Sequence, residues 1–182
     1  MIICVTGPMA AGKNFVCSSF AKQGWICIDA DEQVHRAIKK SEPQIISAFE
    51  KEAKNADIPL KNADGSLNRK NLGALIFPHP ELLKKQENIV FPLITEDTKK
   101  IIAENPDKNI VLNATVMYKI PELLKICEKI VFVTAPLFIR FLRAKKRDNL
   151  SALQILQRFW VQRGLKKKYK EYGIPFETIK NW

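Results

Sequence analysis

Only two histidines occur in 182 residues, and the four cysteines form no Cys-x-x-Cys pair, which leaves little from which to build a zinc site. Neither His35 nor His79 stands in a pattern that would pair it with a serine or cysteine nucleophile, so triad hydrolysis is not expected. No apolar run approaches the roughly 20 residues that cross a bilayer. The chain opens on apolar residues 2–5 without a charged segment followed by a leader-like stretch and cleavage site, so export is not expected either. Internal repeats and low-complexity tracts are also missing. These absences lead to the expectation of a soluble cytoplasmic protein in which Cys4, Cys17, Cys27 and Cys127 are reduced thiols.

Charge is present, and mostly of one sign. Thirty Lys and Arg against 19 Asp and Glu give a formal charge of +11. That surplus suits polyanions, whether nucleotides, nucleic acid or an acidic membrane surface, and does not choose among them. With 46% hydrophobic residues, 182 positions suffice for one well-buried domain, 1–182, with room for a small subdomain.

The strongest local signal is Gly7, Pro8, Met9, Ala10, Ala11, Gly12, Lys13 and Asn14, directly after the apolar run. It reads as a phosphate-binding P-loop, in which successive amides and the lysine ammonium cradle phosphate oxygens. The usual last letter is Ser or Thr, whose hydroxyl ligates Mg²⁺; Asn14 offers an amide oxygen instead. The competing reading is a plain glycine turn between a strand and a helix.

Apolar runs at 2–6, 25–28, 110–114, 130–133 and 176–179 read as strands buried on both faces, as parallel strands of α/β proteins are. A helix is expected over 13–22, with Phe15, Val16, Ser19 and Phe20 on one side. Residues 32–109 read as helices punctuated by Pro43, Pro59, Pro78, Pro80 and Pro92, with a turn at Asp64-Gly65 and a helix carrying Leu72, Leu75 and Ile76. Over 136–147, Phe138, Phe141 and Leu142 form one helix face and Arg140, Arg143 and Arg147 the other. Ser151 reads as the cap of a following helix whose apolar side is Leu153, Leu156, Phe159 and Trp160, before the basic stretch Arg163, Lys166, Lys167, Lys168 and Lys170.

Asp29 and Asp31 close the second strand, where open parallel sheets bind ligands. Read as extended chain they point the same way, one suited to accept a proton from a hydroxyl and the other to orient Mg²⁺ waters. A helix cap and a first-turn acid is the competing reading. The arginine face suits a transferring phosphoryl group, or simply solvent.

With these residues in place, the chain resembles the dephospho-CoA kinase family. The likeness is carried by residues 7–13, by Ile28-Asp29-Ala30-Asp31, and by Asp64-Gly65-Ser66-Leu67-Asn68-Arg69-Lys70-Asn71-Leu72, which is similar to the family's Asp-Gly-x-Leu-x-Arg-x-x-Leu. Phe77, Pro92-Leu93-Ile94, Arg143-x-x-x-Arg147 and Ile179-Lys180-Asn181 continue it in order. The resemblance implies a three-layer α/β P-loop NTPase fold with a central parallel sheet of about five strands, a helical substrate-binding insertion and a lid. It divides the chain into a core of 1–31, 108–150 and 174–182, a helical CoA-binding region of 32–107, and a lid of 151–173.

The activity it implies is ATP- and Mg²⁺-dependent phosphorylation of the ribose 3′-hydroxyl of dephospho-CoA. Small polyanions would then account for the basic surplus, with no nucleic-acid or membrane partner, in a monomer or weak homo-oligomer. By resemblance Asp31 is the general base, Lys13 and Arg143 serve the transferring phosphoryl group, and residues 7–14 with Arg143, Arg147 and Asn181 hold ATP. Arg69 and Phe91, with Asp31, lie on the acceptor side, and Asn14 and Asp29 are the candidates beside the metal. The family has Ser or Thr at Asn14, His at Phe91, an acid at Asn113 and Glu at Lys119, and the chain ends at Trp182 before the family's last helix. Two alternatives stay open: a related small-molecule kinase with another acceptor, and a member that binds CoA or nucleotide with weak or no transfer.

Overall fold

The computed structural model describes residues 1–148 and 150–182, with the backbone alone at Asp148; Asn149, inside the expected core segment 108–150, lies outside the described residues. The chain divides into two compact units, Met1–Ala30 with Lys100–Trp182, and Asp31–Lys99.

The first unit is built on five parallel strands, β1 (Ile2–Thr6), β2 (Ile26–Asp29), β3 (Ile110–Asn113), β4 (Lys129–Thr134) and β5 (Phe176–Lys180), in the order β2-β3-β1-β4-β5. All five expected strands are present, with bounds shifted by at most one residue at either end. The β-branched runs explain them. Every residue of β3 is buried, and Ile3, Val5, Val111, Val131 and Val133 pack against Val16 and Cys17 of α1 (Lys13–Ala21). The chain runs from β1 outward to β2, returns to β3, and crosses to β4 on the far side of β1. The winding therefore reverses at β1, and the crevice that such a reversal opens lies at that strand's carboxyl end, where residues 7–14 begin.

A short helix, α6 (Pro121–Lys125), precedes β4, and among the described residues three helices of this unit follow it: α7 (Leu137–Asp148), α8 (Ala152–Val161) and α9 (Leu165–Lys170). Ser151 caps α8 as expected, its hydroxyl accepting from the Gln154 amide while the Gln154 side chain accepts from the Ser151 amide. The faces of α7 and α8 differ from expectation. Arg140 is 7% exposed and Ala144 is fully buried, whereas Phe138 is 71% exposed and Leu142, Leu153, Leu156 and Trp160 all face solvent. What packs inward is Ala144 and Ile155, with Met9 and Ala10 of the glycine loop. Likewise Phe15 of α1 is exposed, and the buried stripe is Val16 and Cys17, with Phe20 packed against the cluster.

The second unit is helical. It contains α2 (Ala30–Lys40) from Asp31 onward, α3 (Glu42–Asn55), α4 (Arg69–Ile76) and α5 (Pro80–Ala103) as far as Lys99. Ile45, Phe49 and Ala53 recur every four residues on α3 and are buried, as helical periodicity requires. Asp64 Oδ1 accepts from the Ser66 amide at 3.0 Å and its hydroxyl at 2.6 Å, closing the expected turn. Leu72, Leu75 and Ile76 are buried on α4, which Asn68 caps by accepting from the Asn71 amide at 3.0 Å. Pro92 does not end a helix: α5 runs through it, because buried Val90, Ile94 and Thr98 flank it along one face. Ion pairs from Lys40 to Asp97 and from Lys85 to Glu52 add links between helices of this unit.

Candidate functional site

The loop from Gly7 to Asn14 is shaped by backbone that ordinary residues resist. Gly7 and Gly12 have φ of 150° and 96°, and a β-carbon on Gly7 would lie 2.2 Å from the Val133 carbonyl oxygen. Ala10, at φ 60°, is held in the left-handed region among buried neighbours. The loop then enters α1 at Lys13, and the start of a helix carries unpaired amides and the positive end of the helix dipole. Lys13 Nζ lies over the loop, donating to the carbonyls of Gly7 at 3.1 Å and Pro8 at 3.5 Å.

Met9 is held by three side chains from later in the chain. Arg140 Nε donates to its carbonyl at 2.9 Å, its amide donates to Gln162 Oε1 at 2.7 Å, and Arg158 Nη1 lies 4.0 Å from its sulfur. Arg140 also stacks on Phe159, 4.1 Å from the ring centroid. Burial pushes the Arg140 pKa down, and its Nη2 is enclosed without a hydrogen-bond partner. Arg158 and Gln162 were not singled out among the sequence candidates. Their four-residue spacing, which puts both on one side of the end of α8, was the available signal.

On the other side of the loop, Asn181 donates from its amide to the Ala11 carbonyl at 3.0 Å and accepts from Arg143 Nη1 on its own carbonyl at 3.2 Å. Two of the expected ATP-side residues, Arg143 and Asn181, thus stand together against Gly12. Arg147 is exposed at the end of α7.

A third group lies at the strand ends. The amide nitrogen of Asn113 donates to Asp29 Oδ2 at 2.9 Å and to Asn14 Oδ1 at 3.0 Å. Asn113 is 5% exposed, and its own oxygen is buried without a partner, a desolvation cost of about 1–3 kcal/mol. Mg²⁺ takes oxygen donors and commonly keeps several waters beside one or two carboxylates and substrate phosphates. Asp29, a half-buried carboxylate beside the Asn113 amide, fits that requirement. No cluster of three His, Cys, Asp or Glu suited to a protein-only metal cage exists among the described residues.

Asp31 belongs to the second unit and is an exposed first-turn acid of α2. The extended reading of 29–31 is therefore corrected: β2 ends at Asp29 and helix starts at Ala30, so the two carboxylates do not alternate on one strand. In the same unit, Arg69 is exposed at the first position of α4 and Phe91 is half-buried on α5.

The thiols are quiet. Burial pushes Cys17 and Cys127 up to about 12, and Cys4 is raised as well, by burial foremost. Among the described residues no helix is long and apolar enough to cross a membrane.

Residues 1–173 match the family described as dephospho-CoA kinase. Dephospho-CoA kinase of Treponema denticola is 33% identical over 186 residues, covering 100% of this chain and 82% of the relative. That of Treponema pallidum is 36% identical over 184 residues, covering 99% and 86%. A crystal structure from Thermus thermophilus superimposes over 100% of this chain and 88% of its own with a TM-score of 0.82 at 23% identity, a likeness of fold. Together with the assembled phosphate loop, these matches place the chain in the dephospho-CoA kinase family.

Proposed function

We propose that this protein transfers the γ-phosphoryl group of ATP to the ribose 3′-hydroxyl of dephospho-CoA, giving CoA and ADP in the last step of CoA synthesis. The observation that carries this reading is the phosphate loop itself, with Lys13 across it and Arg143 and Asn181 against Gly12, in a chain whose named relatives match it almost end to end.

The loop amides, Lys13 and Arg143 hold the ATP phosphates and stabilise charge on the transferring group. The arrangement works by positioning and by preorganised donors, which need no reorganisation as charge develops. Asp31 takes the proton of the attacking hydroxyl as the new O–P bond forms and the bond to the β,γ-bridging oxygen breaks. Arg69 and Phe91 serve the acceptor side, and Arg147 the nucleotide. Asp29 would hold Mg²⁺ on the phosphate side, where the ion would supply neutralisation of phosphate charge. We assign residues 32–107 to CoA binding and 151–173 to the lid, and place the protein in the cytoplasm as a monomer or weak homo-oligomer. The charge of +11 then serves small polyanionic substrates and not nucleic acid.

ADP release measured across a panel of hydroxyl acceptors tests this reading. The expected result is turnover of dephospho-CoA well above any other nucleoside or metabolite. Faster turnover of another acceptor would overturn the substrate assignment, with Phe91 and Lys119 the first residues to examine. Absence of ADP formation at saturating Mg²⁺, with ADP still raising Tm, would overturn the transfer reading.

A further inference from the structure

Asn14 occupies the position at which a P-loop normally supplies a metal-ligating hydroxyl, and its orientation is fixed by its neighbours. An ionised carboxylate only accepts hydrogen bonds, so the group of Asn113 that faces Asp29 Oδ2 at 2.9 Å must be its NH₂. The same NH₂ faces Asn14 at 3.0 Å, and a donor there requires that the facing atom of Asn14 be its oxygen. Turning Asn113 over would set its oxygen against the carboxylate. The buried, unpartnered oxygen of Asn113 is what this orientation leaves behind. One carboxylate therefore sets the direction of two amides in series.

It follows that the Asn14 oxygen is engaged toward Asn113 and that its NH₂ is the end left over. Asn14 is exposed at the second position of α1, directly after Lys13, and among the described residues its NH₂ donates to nothing. The polar group it offers a nucleotide is a donor, at the end of the helix where donors already converge. We propose that Asn14 binds a phosphate oxygen of the nucleotide as a hydrogen-bond donor and is not a metal ligand, the Mg²⁺ being carried by Asp29, water and the phosphates. Asn113 is then a positioning residue that acts through Asn14. This rests on the nucleotide-binding part of the reading above. It reverses the role expected at this position, from an acceptor for a cation to a donor for an anion.

The two roles separate in binding experiments that contain no acceptor. ADP affinity is measured in EDTA for the wild type and Asn14→Ala. A donor to an anionic phosphate is worth a roughly tenfold to hundredfold loss when removed. The Mn²⁺ affinity of the protein–ADP complex should stay within about twofold. Line broadening of the Mn²⁺ spin-resonance signal in ¹⁷O-enriched water should count the same number of bound waters in both proteins. Unchanged metal-free ADP affinity in Asn14→Ala would overturn the proposal. So would one additional water on Mn²⁺ in that variant, since a lost ligand is replaced by solvent. Asn14 is exposed, and melting curves of both proteins accompany the titrations, equal Tm showing that the fold is kept. Failure of the acceptor assignment would show separately, as absent phosphorylation of dephospho-CoA by a wild type that still binds ADP.

Discussion

Gly12 and Asn181 approach so closely that a β-carbon on the glycine would lie 1.8 Å from the Asn181 amide nitrogen. That nitrogen donates to the Ala11 carbonyl, while the Asn181 main chain accepts from Arg143 and donates to the Thr134 carbonyl at 2.8 Å. The last glycine of the loop is thus required twice, by its φ of 96° and by the residue that follows β5.

Gly12→Ala should lower stability by about 2–4 kcal/mol, combining left-handed strain with a steric clash. The accompanying fall in Tm is roughly 5–10 °C for a domain of this size. Asn181→Ala alone should cost less. In the double variant the clash is gone and only the strain and the lost hydrogen bond remain, so it should be more stable than Gly12→Ala. Thermal melts of the three decide it: a double variant no more stable than the glycine variant would show that Asn181 is not the obstacle.

Arg140 and Arg143 lie three residues apart on α7 and should respond differently to truncation. Arg140→Ala removes a charge-assisted hydrogen bond to the Met9 carbonyl and the stacking partner of Phe159, leaving a cavity. A loss of about 2–4 kcal/mol, or roughly 5–10 °C in Tm, is expected. Arg143→Ala, half-buried beside Asn181, should move Tm by only a few degrees and weaken ADP binding about tenfold. Melting curves and ADP titrations on both variants check the contrast.

The sheet was legible because parallel strands write themselves as short β-branched runs, and residues 2–6, 110–113 and 129–134 have no competing pattern. The loop was legible because its glycines are tied to a strand before and a helix after. Helix faces were not. On α7 the aromatic stripe looked inward by hydrophobicity alone, but Arg140 is drawn in by a backbone carbonyl of the glycine loop, a partner 131 residues away that local periodicity cannot see. Pro92 misled for a related reason: a breaker in isolation is tolerated where packed residues hold the helix on both sides of it. The Asn14–Asn113 pair was visible as two departures, and only the fold joins them across 99 residues.

The buried thiols give a pH dependence. Cys17 and Cys127 are pushed from 9.0 up to about 12 in the folded chain, burial being the main cause. A raised thiol pKa means the folded state favours the neutral form. Its contribution to stability is complete below pH 9 and is lost as pH rises toward 12. Each thiol should steepen the alkaline loss of stability by up to about 1.4 kcal/mol per pH unit in that window. Denaturant melts from pH 8 to 11 on wild type and Cys17→Ala, taken relative to each protein's own value at pH 8, should show a shallower decline in the variant. Equal slopes would remove Cys17 from the account. At neutral pH, exposed Cys27 should be the thiol that alkylates first.

Asp31 carries the proposed base, and its setting makes the test clean. The side chain is exposed in the first turn of α2, so Asp31→Asn removes an acid at a helix start, worth about 0.3–1 kcal/mol, without disturbing a core. Tm should change by no more than a few degrees. If Asp31 accepts the hydroxyl proton, kcat for dephospho-CoA should fall by roughly 10²–10⁴-fold while ADP affinity is unchanged. Asp29→Asn should behave differently. It removes the carboxylate beside the expected metal position, and should raise the Mg²⁺ concentration for half-maximal rate about tenfold. Steady-state rates over an Mg²⁺ titration for both variants separate the roles. An Asp31→Asn protein with near-normal kcat would assign the proton to another group, and an Mg²⁺ requirement shifted by Asp31→Asn but not by Asp29→Asn would exchange the two carboxylates.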